Sequence, residues 1–180
     1  MNNERLFILT GAPGSGKSAI LEALAADFAC VTEPAREVLA DERGRGGTGT
    51  PQRDAARFVR LLLDRSIQKH TTAAAVNRTT LFDRGIPDCI AYAEMLSVDP
   101  APSIAASDAH RYHSDVLLLE PWEAIYALDV ERTMSFAETI PFHEAVVRAY
   151  ERTAYSLFVV PRDDLAGRAD HVRAFIVARA

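Results

Sequence analysis

The eight residues GAPGSGKS, at positions 11–18, constrain this chain more than any other part of its sequence. They match the pattern G-x-x-x-x-G-K-[ST]. A short apolar run, residues 6–9, precedes them, and a segment with helical spacing of apolar residues, 18–28, follows them. With the glycine, lysine, serine and threonine content of this chain, chance would produce such a match in roughly one sequence of this length in two thousand. The pattern therefore predicts a strand, a glycine-rich loop and a helix in succession.

A loop of this kind is suited to binding phosphate. Its backbone N–H groups converge on one point at the start of a helix, where the helix dipole adds positive potential. Lys17 would reach the outer phosphates of a nucleotide, and Ser18 would offer its hydroxyl to Mg²⁺. The alternative is a glycine turn with an exposed lysine. The predicted nucleotide-binding residues of the loop are Gly11, Ala12, Pro13, Gly14, Ser15, Gly16, Lys17 and Ser18.

Beyond the loop, apolar runs alternate with segments of helical periodicity. Strands are predicted at residues 29–32, 79–83, 116–119 and 156–161, and helices from residue 34 and at 52–76, 87–96, 145–155 and 165–177. The stretch GRGGTGT, residues 44–50, is predicted to be a flexible break. The alternation predicts an α/β fold, with a mostly parallel sheet and helices on both of its faces. Without repeats or an obvious linker, residues 1–180 are predicted to form one domain.

Composition excludes several classes of function. The formal net charge of −5 argues against a protein built to bind nucleic acid or anionic membranes. The apolar runs are far shorter than the ~20 residues that span a bilayer. The first residues, MNNERLFILTG, do not resemble a secretory signal, so we expect a cytoplasmic protein. Cys30 and Cys89 are expected to be reduced thiols in the core.

Two acidic residues end predicted strands, where ligands bind in parallel sheets. Glu33 lies at the end of the second strand, and Asp83 ends the third. Asp83 is predicted to hold Mg²⁺, directly or through water, and Arg84 beside it to contact phosphate. Glu33 would act as a general base for an acceptor hydroxyl, or bind that hydroxyl. Alternatively, Asp83 shapes a turn, Glu33 stabilises a helix start, and Glu120 after the fourth strand binds the metal.

The order GAPGSGKS, EPAR and DRGIPDCIAYAE, followed by an arginine-containing segment before the last strand, resembles the P-loop kinases. It looks most like an AAA-type ATPase-like domain related to nicotinamide riboside kinase domains. It is similar, at greater distance, to deoxynucleoside and thymidylate kinases. The resemblance implies a three-layer P-loop NTPase fold with a five-stranded parallel sheet in the order 2-3-1-4-5, and a lid at approximately residues 121–141. It also implies ATP and Mg²⁺ as cofactors.

The resemblance assigns roles to individual residues. Glu33 matches the Glu-Pro that ends the second strand of deoxynucleoside kinases, where the glutamate serves as the base. Asp83 and Arg84 match the Asp-Arg of thymidylate kinases. The lid segment DVERTMSFAE holds a single arginine, Arg132, which would close over the γ-phosphate, although kinase lids often carry several. Arg148 and Arg152 on the following helix would supplement it, or are solvated surface residues.

The sequence thus predicts a P-loop kinase that transfers a phosphoryl group from ATP to a small, nucleoside- or nucleotide-like acceptor. The alternative function is a nucleotide-dependent ATPase or regulatory switch acting on a protein partner, which the sparse lid favours. No Asn-Lys-x-Asp guanine motif is present, which favours ATP over GTP. The acceptor and the oligomeric state are left open.

Overall fold

The computed structural model describes residues 3–127 and 134–180, which form a sheet with helices on both sides. The strands are β1 (Leu6–Gly11), β2 (Ala29–Val31), β3 (Thr80–Asp83), β4 (Asp115–Leu119) and β5 (Ser156–Val159). The helices are α1 (Lys17–Leu24), α2 (Pro34–Gly44), α3 (Ala55–Ala74), α4 (Ile86–Met95), α5 (Ala101–Ala109), α6 (Phe136–Arg152) and α7 (Leu165–Val177). A 3₁₀ turn, Glu123–Ile125, follows β4. None of the described helices is long and apolar enough to cross a membrane.

The five strands are all parallel and lie in the order β2-β3-β1-β4-β5, which confirms the α/β fold and the order implied by the resemblance. β1 lies at the centre and is buried along its whole length, as expected for a strand covered on both faces. Its register aligns Leu9 with Asp83 of β3 and Gly11 with Leu119 of β4. The carboxyl ends of these three strands therefore meet at one edge of the sheet.

Alternate residues of β1 point into two separate cores. Leu6 and Ile8 pack with residues of α3, α4 and α6, whereas Phe7 and Leu9 pack with residues of α1 and α7. This division follows from the two-residue period of a strand. It places α7 beside the helix that follows the glycine loop, and α6 on the opposite face of the sheet.

Helix α5 was not predicted from the sequence. Its buried positions are Ser103 and Ser107, so the face that it turns inward carries hydroxyl groups. The apolar period that identifies an amphipathic helix is therefore absent from this segment.

Helix α6 begins at Phe136, earlier than the predicted residue 145. Ser135 starts it with a capping box: its backbone N and its Oγ donate to Glu138 Oε2 at 2.7 and 2.6 Å. Pro141 lies inside the helix, where a proline often ends one. Residues 136–141, which the predicted lid segment includes, therefore belong to α6.

The glycine-rich stretch between α2 and α3 breaks the helical pattern, as predicted, but it is anchored to a buried carboxylate. Glu42 accepts a hydrogen bond from Gly49 N at 2.6 Å and another from Arg45 Nε at 2.6 Å. Arg57 Nε lies 3.4 Å from the same carboxylate. A Cβ on Gly47 would lie 2.3 Å from Glu42 Oε2, so the chain can pass this carboxylate closely only without a side chain.

Candidate active site

The glycine loop joins β1 to α1, as the sequence predicts. Gly11, Gly14 and Gly16 have φ angles of +124°, +75° and +90°, which residues with a Cβ rarely adopt. A Cβ on Gly11 would lie only 2.0 Å from the carbonyl oxygen of Leu119, so the approach of β4 also requires glycine there. Gly16 is the N-cap of α1, and the loop therefore leads directly to the positive end of that helix.

The side chain of Lys17 folds back over this loop. Its Nζ donates to the carbonyl oxygens of Ala12 and Gly11 at 2.7 and 3.4 Å. Burial lowers the pKa of Lys17 to about 8, and the nearby charge of Arg84 acts in the same direction, against the effect of three carboxylates. A phosphate in the loop would offset the cost of this buried charge.

Asp83 and Ser18 meet beside the loop. Ser18 Oγ donates to Asp83 Oδ2 at 2.9 Å. The other carboxylate oxygen, Oδ1, is buried and has no hydrogen-bond partner among the described residues. Burial raises the pKa of Asp83, although the charge of Lys17 opposes this shift. A hydroxyl and an unsatisfied carboxylate oxygen fit Mg²⁺, which binds proteins through one or two oxygens and takes phosphate and water as its other ligands.

Glu120, the alternative metal ligand, lies at a different place. It follows β4, its side chain is exposed, and its Oε2 lies 3.8 Å from Arg162 Nη2. The carboxylate that contacts Ser18 is that of Asp83.

Arg84 is buried and held from three sides. Its Nε donates to Glu33 Oε1 at 2.8 Å, and its Nη1 donates to Gly11 O at 3.0 Å and to Asp88 Oδ1 at 2.8 Å. Its backbone has a φ of +73°, in the left-handed region that favours glycine. Arg84 thus connects the glycine loop to Glu33, and its guanidinium would have to exchange hydrogen bonds to reach a phosphate.

Glu33 lies between two guanidinium groups. Its Oε1 accepts from Arg84 at 2.8 Å and its Oε2 from Arg36 at 3.1 Å. Burial acts to raise the pKa of Glu33, but Arg84 and Lys17 outweigh it and lower the pKa to about 2. Glu33 precedes α2, yet its side chain makes no capping hydrogen bond to that helix. The carboxylate is therefore ionised and directed toward the cations of the site.

The sequence analysis missed Asp88, which organises the floor of the site. It accepts hydrogen bonds from Thr10 Oγ1 at 2.7 Å, Arg84 Nη1 at 2.8 Å, Gly85 N at 2.9 Å and Tyr150 OH at 2.6 Å. An acidic residue in the first turn of a helix, three positions after Gly85, is a recognisable capping signal. The contacts of Asp88 with Thr10 and Tyr150 join parts of the chain that are distant in sequence, so no local sequence pattern indicates them.

Arg168 was also missed. It lies on α7, is buried, and donates from Nη2 to the carbonyl oxygen of Ser15 in the glycine loop. Its guanidinium carbon lies 5.5 Å from the centroid of the Trp122 ring. Its Nε is buried without a hydrogen-bond partner among the described residues, and burial lowers the pKa of the side chain. No spacing in the sequence connects residue 168 to the loop.

The predicted lid residue Arg132 lies outside the described residues. Of the two arginines that would supplement it, Arg152 Nη1 donates to Glu94 at 3.0 Å on the outside of α4, and Arg148 is exposed.

A cavity of about 630 Å³ lies away from this site, between β2 and α3. It contains no residue of the glycine loop. Its walls include the ion-paired side chains of Glu37, Arg65 and Lys69.

This chain is similar to known proteins in sequence and in fold. The family model described as "AAA domain" matches residues 6–168. No curated protein matches the sequence.

Several solved structures share the fold. Deoxyadenosine kinase from M. mycoides is 13% identical with a TM-score of 0.67, and the match covers 96% of this chain and 99% of that one. Thymidylate kinase from Ehrlichia chaffeensis is 14% identical with a TM-score of 0.62, covering 96% and 98%. Shikimate kinase from Acinetobacter baumannii is 14% identical with a TM-score of 0.53, covering 97% and 93%.

At these identities the solved structures establish the fold alone. The family model spans most of the chain, including the glycine loop and the strand ends described above. The chain therefore belongs to the AAA domain family and is a P-loop kinase-like NTPase in fold.

Proposed function

We propose that this chain is a single-domain kinase that uses ATP and Mg²⁺ to phosphorylate a small, nucleoside- or nucleotide-like acceptor. The observation that carries the proposal is the meeting of Lys17, Ser18 and Asp83 at the glycine loop, with Asp83 Oδ1 unsatisfied beside it. A buried oxygen without a hydrogen-bond partner is costly, and a ligand bound there would remove that cost.

The donor nucleotide would bind along the loop. Backbone N–H groups at the start of α1 would bind its phosphates, and Lys17 would exchange its bonds to Ala12 and Gly11 for the outer phosphates. Ser18 and Asp83 are the residues that would hold Mg²⁺. That ion, when bound, neutralises charge on the phosphates during transfer.

The acceptor would bind near Glu33, on the neighbouring strand end. With a pKa of about 2, Glu33 is ionised and can accept a hydrogen bond from a hydroxyl, but it is a weak base. Its role would be to orient the acceptor hydroxyl. When phosphoryl transfer passes through a loose transition state, that hydroxyl loses its proton only late in the reaction. Arg84 and Arg36 would keep the Glu33 carboxylate in place.

The similar structures support the same class of reaction by analogy. Two of them are a deoxyadenosine kinase and a thymidylate kinase, and a third is a shikimate kinase. We therefore favour nucleosides and nucleotides as first acceptors, with small hydroxylated metabolites as a second panel.

The test is transfer of label from γ-labelled ATP with Mg²⁺ to pooled nucleosides and nucleotides. We would compare the wild type with Lys17→Ala and Glu33→Gln. Lys69→Ala is the matched control, because Lys69 is the chain's only other lysine and it pairs with Glu37 on α2. Circular dichroism would establish that each variant is folded.

Label on one acceptor, lost in Lys17→Ala and strongly reduced in Glu33→Gln but retained in Lys69→Ala, is the expected result. Label released only as phosphate, with Glu33→Gln unaffected, would contradict the kinase. It would favour the alternative, an ATPase or switch whose binding to a protein partner differs between ATP and ADP.

A further inference from the structure

His143 lies on the face of α6 that is turned toward the candidate site. Tyr150 is seven residues, or about two helical turns, further along the same face, and its hydroxyl donates to Asp88 at 2.6 Å. Phe142, adjacent to His143, has its ring centroid 5.2 Å from the guanidinium carbon of Arg84. These two contacts hold α6 against the residues that follow β3, and His143 is close enough to the site for the charges of Lys17 and Arg84 to act on it.

The imidazole of His143 has an unused polar atom. Its Nδ1 is buried, and within residues 3–127 and 134–180 it has no hydrogen-bond partner. A neutral imidazole can leave this nitrogen as an acceptor, whereas a protonated imidazole donates from both nitrogens. A buried polar atom without a partner is unfavourable, and a ligand would relieve that cost.

Charged groups on several neighbouring elements influence the protonation of His143. Lys17 at the loop and Arg84 after β3 are cations, whereas Glu120 after β4 and Glu144 on α6 itself are anions. Burial lowers the pKa of His143 below its ordinary value of 6.5; Glu120 and Glu144 act to raise it, and Lys17 and Arg84 to lower it. The imidazole is therefore neutral at pH 7 when no anion is present.

We propose that His143 takes up a proton from solvent when a nucleoside triphosphate occupies the loop, and that its imidazolium then donates a hydrogen bond to the terminal phosphate. The inference rests on the proposed function, since it requires a phosphate chain bound beside Lys17. It adds a residue for recognising the terminal phosphate, on the helix that follows the lid segment.

His143 would gain a proton because a bound triphosphate would make the net charge around its imidazole negative. Lys17 and Arg84 disfavour an imidazolium at His143, but the negative charge of a bound triphosphate would outweigh both cations. A phosphate within hydrogen-bond distance would raise the pKa of His143 by about 1 to 2 units. Binding would then weaken as the pH rises through the pKa of the bound state, because the proton that His143 must gain becomes scarcer.

The test is an NMR titration of the five histidine rings of the full chain. It would be recorded without ligand, with Mg·ADP and with the Mg complex of a non-hydrolysable β,γ-imido ATP. His143→Gln identifies the His143 signal and provides the variant for affinity measurements. His171→Gln is the matched control, because His171 is exposed on α7. Amide signals of the loop glycines report nucleotide binding independently.

We expect the pKa of His143 to rise by about 1 to 2 units with the triphosphate and by less with ADP. The affinity of the wild type and of His171→Gln for the triphosphate should fall by about threefold or more between about pH 6 and pH 8, beyond the change seen in His143→Gln. An unchanged His143 pKa while the loop amides shift would overturn this inference alone. Absence of any loop shift would overturn the proposed function, and this inference with it.

Discussion

Asp83 illustrates how one side chain can be poorly suited to stability and well suited to a ligand. It is buried at the end of β3, one oxygen accepts from Ser18 at 2.9 Å, and the other has no partner within the described residues. Unsatisfied buried oxygens are rare in folded proteins because each loses its bonds to water. Positions of this kind are retained where function requires them.

Asp83→Asn should separate stability from activity. The pKa of Asp83 is raised, so its contribution to stability is fully present below the unfolded pKa of 3.8 and is lost as the pH rises through the folded value. Removing the charge should leave the melting temperature at pH 7 unchanged or higher, while phosphoryl transfer falls by about 100-fold or more. Calorimetry and the labelled-ATP assay measure both. A large loss of stability would show that the charge supports the fold.

The contribution of Glu33 to stability depends on pH in the direction opposite to that of Asp83. Its pKa is about 2 in the folded protein against an ordinary 4.5, so its stabilising contribution is present above pH 4.5 and is lost as the pH falls toward 2. Glu33→Gln should lower the free energy of unfolding at pH 7 by about 2 to 3 kcal/mol. The difference from wild type should shrink in urea titrations near pH 3. A difference that is independent of pH would refute this account.

At the scale of elements, the connection between α2 and α3 depends on one carboxylate rather than on a hydrophobic contact. Glu42 is fully buried and binds Gly49 N and Arg45 from the glycine-rich stretch. Of the interactions that lower the pKa of Glu42, the hydrogen bond from Gly49 is the largest. A segment with few apolar residues is thus held in one conformation by polar contacts.

Gly49→Ala should disturb this connection. The added Cβ would lie 2.8 Å from Glu42 Oε2 and 2.8 Å from Leu61 Cδ1, so the carboxylate would have to move. We expect a loss of about 1 to 3 kcal/mol in the free energy of unfolding. Gly44→Ala is the control: no atom lies within 4 Å of its added Cβ, and stability should stay the same or increase. Equal effects in urea titrations of the two variants would contradict the role of Glu42.

At the scale of the whole molecule, the two cores on either side of the sheet both reach the glycine loop. From one side, Tyr150 of α6 bonds Asp88, which also binds Thr10 just before the loop. From the other side, Arg168 of α7 bonds the Ser15 carbonyl, 153 residues earlier in the chain. The conformation of the loop is therefore coupled to helices on both faces of the sheet.

Arg168→Ala should weaken that coupling. It removes a buried guanidinium from Ser15 and from the ring of Trp122, the chain's only tryptophan. We expect the tryptophan emission to change even without nucleotide, and the dissociation constant for ATP to rise by about tenfold. Arg173→Ala is the control, because Arg173 lies half-buried on the same helix and pairs with Asp27 at 2.8 Å, away from the loop. Unchanged emission and affinity in Arg168→Ala would exclude this role.

The sequence by itself determined the glycine loop and the alternation of strands and helices. Both depend on residues that are close together in the sequence. The glycines and Lys17 lie within eight positions, and the apolar residues recur with periods of about two or 3.6. The predicted bounds of α7 agree with the structure, and those of the five strands agree within about two residues. Helix α5 and the start of α6 were not predicted. Helix α5 buries serines rather than apolar residues, and α6 continues through Pro141.

Only the tertiary structure decided how the site is assembled. Asp83 ends one apolar strand and Glu120 follows another, and nothing local indicates that Asp83 is the one beside Ser18. The same holds for the attachment of Arg84 to Glu33, 51 residues away, and of Arg168 to the loop. These contacts depend on which strands become neighbours and on which helix faces turn inward, and both are set by packing of the whole chain rather than by any local pattern.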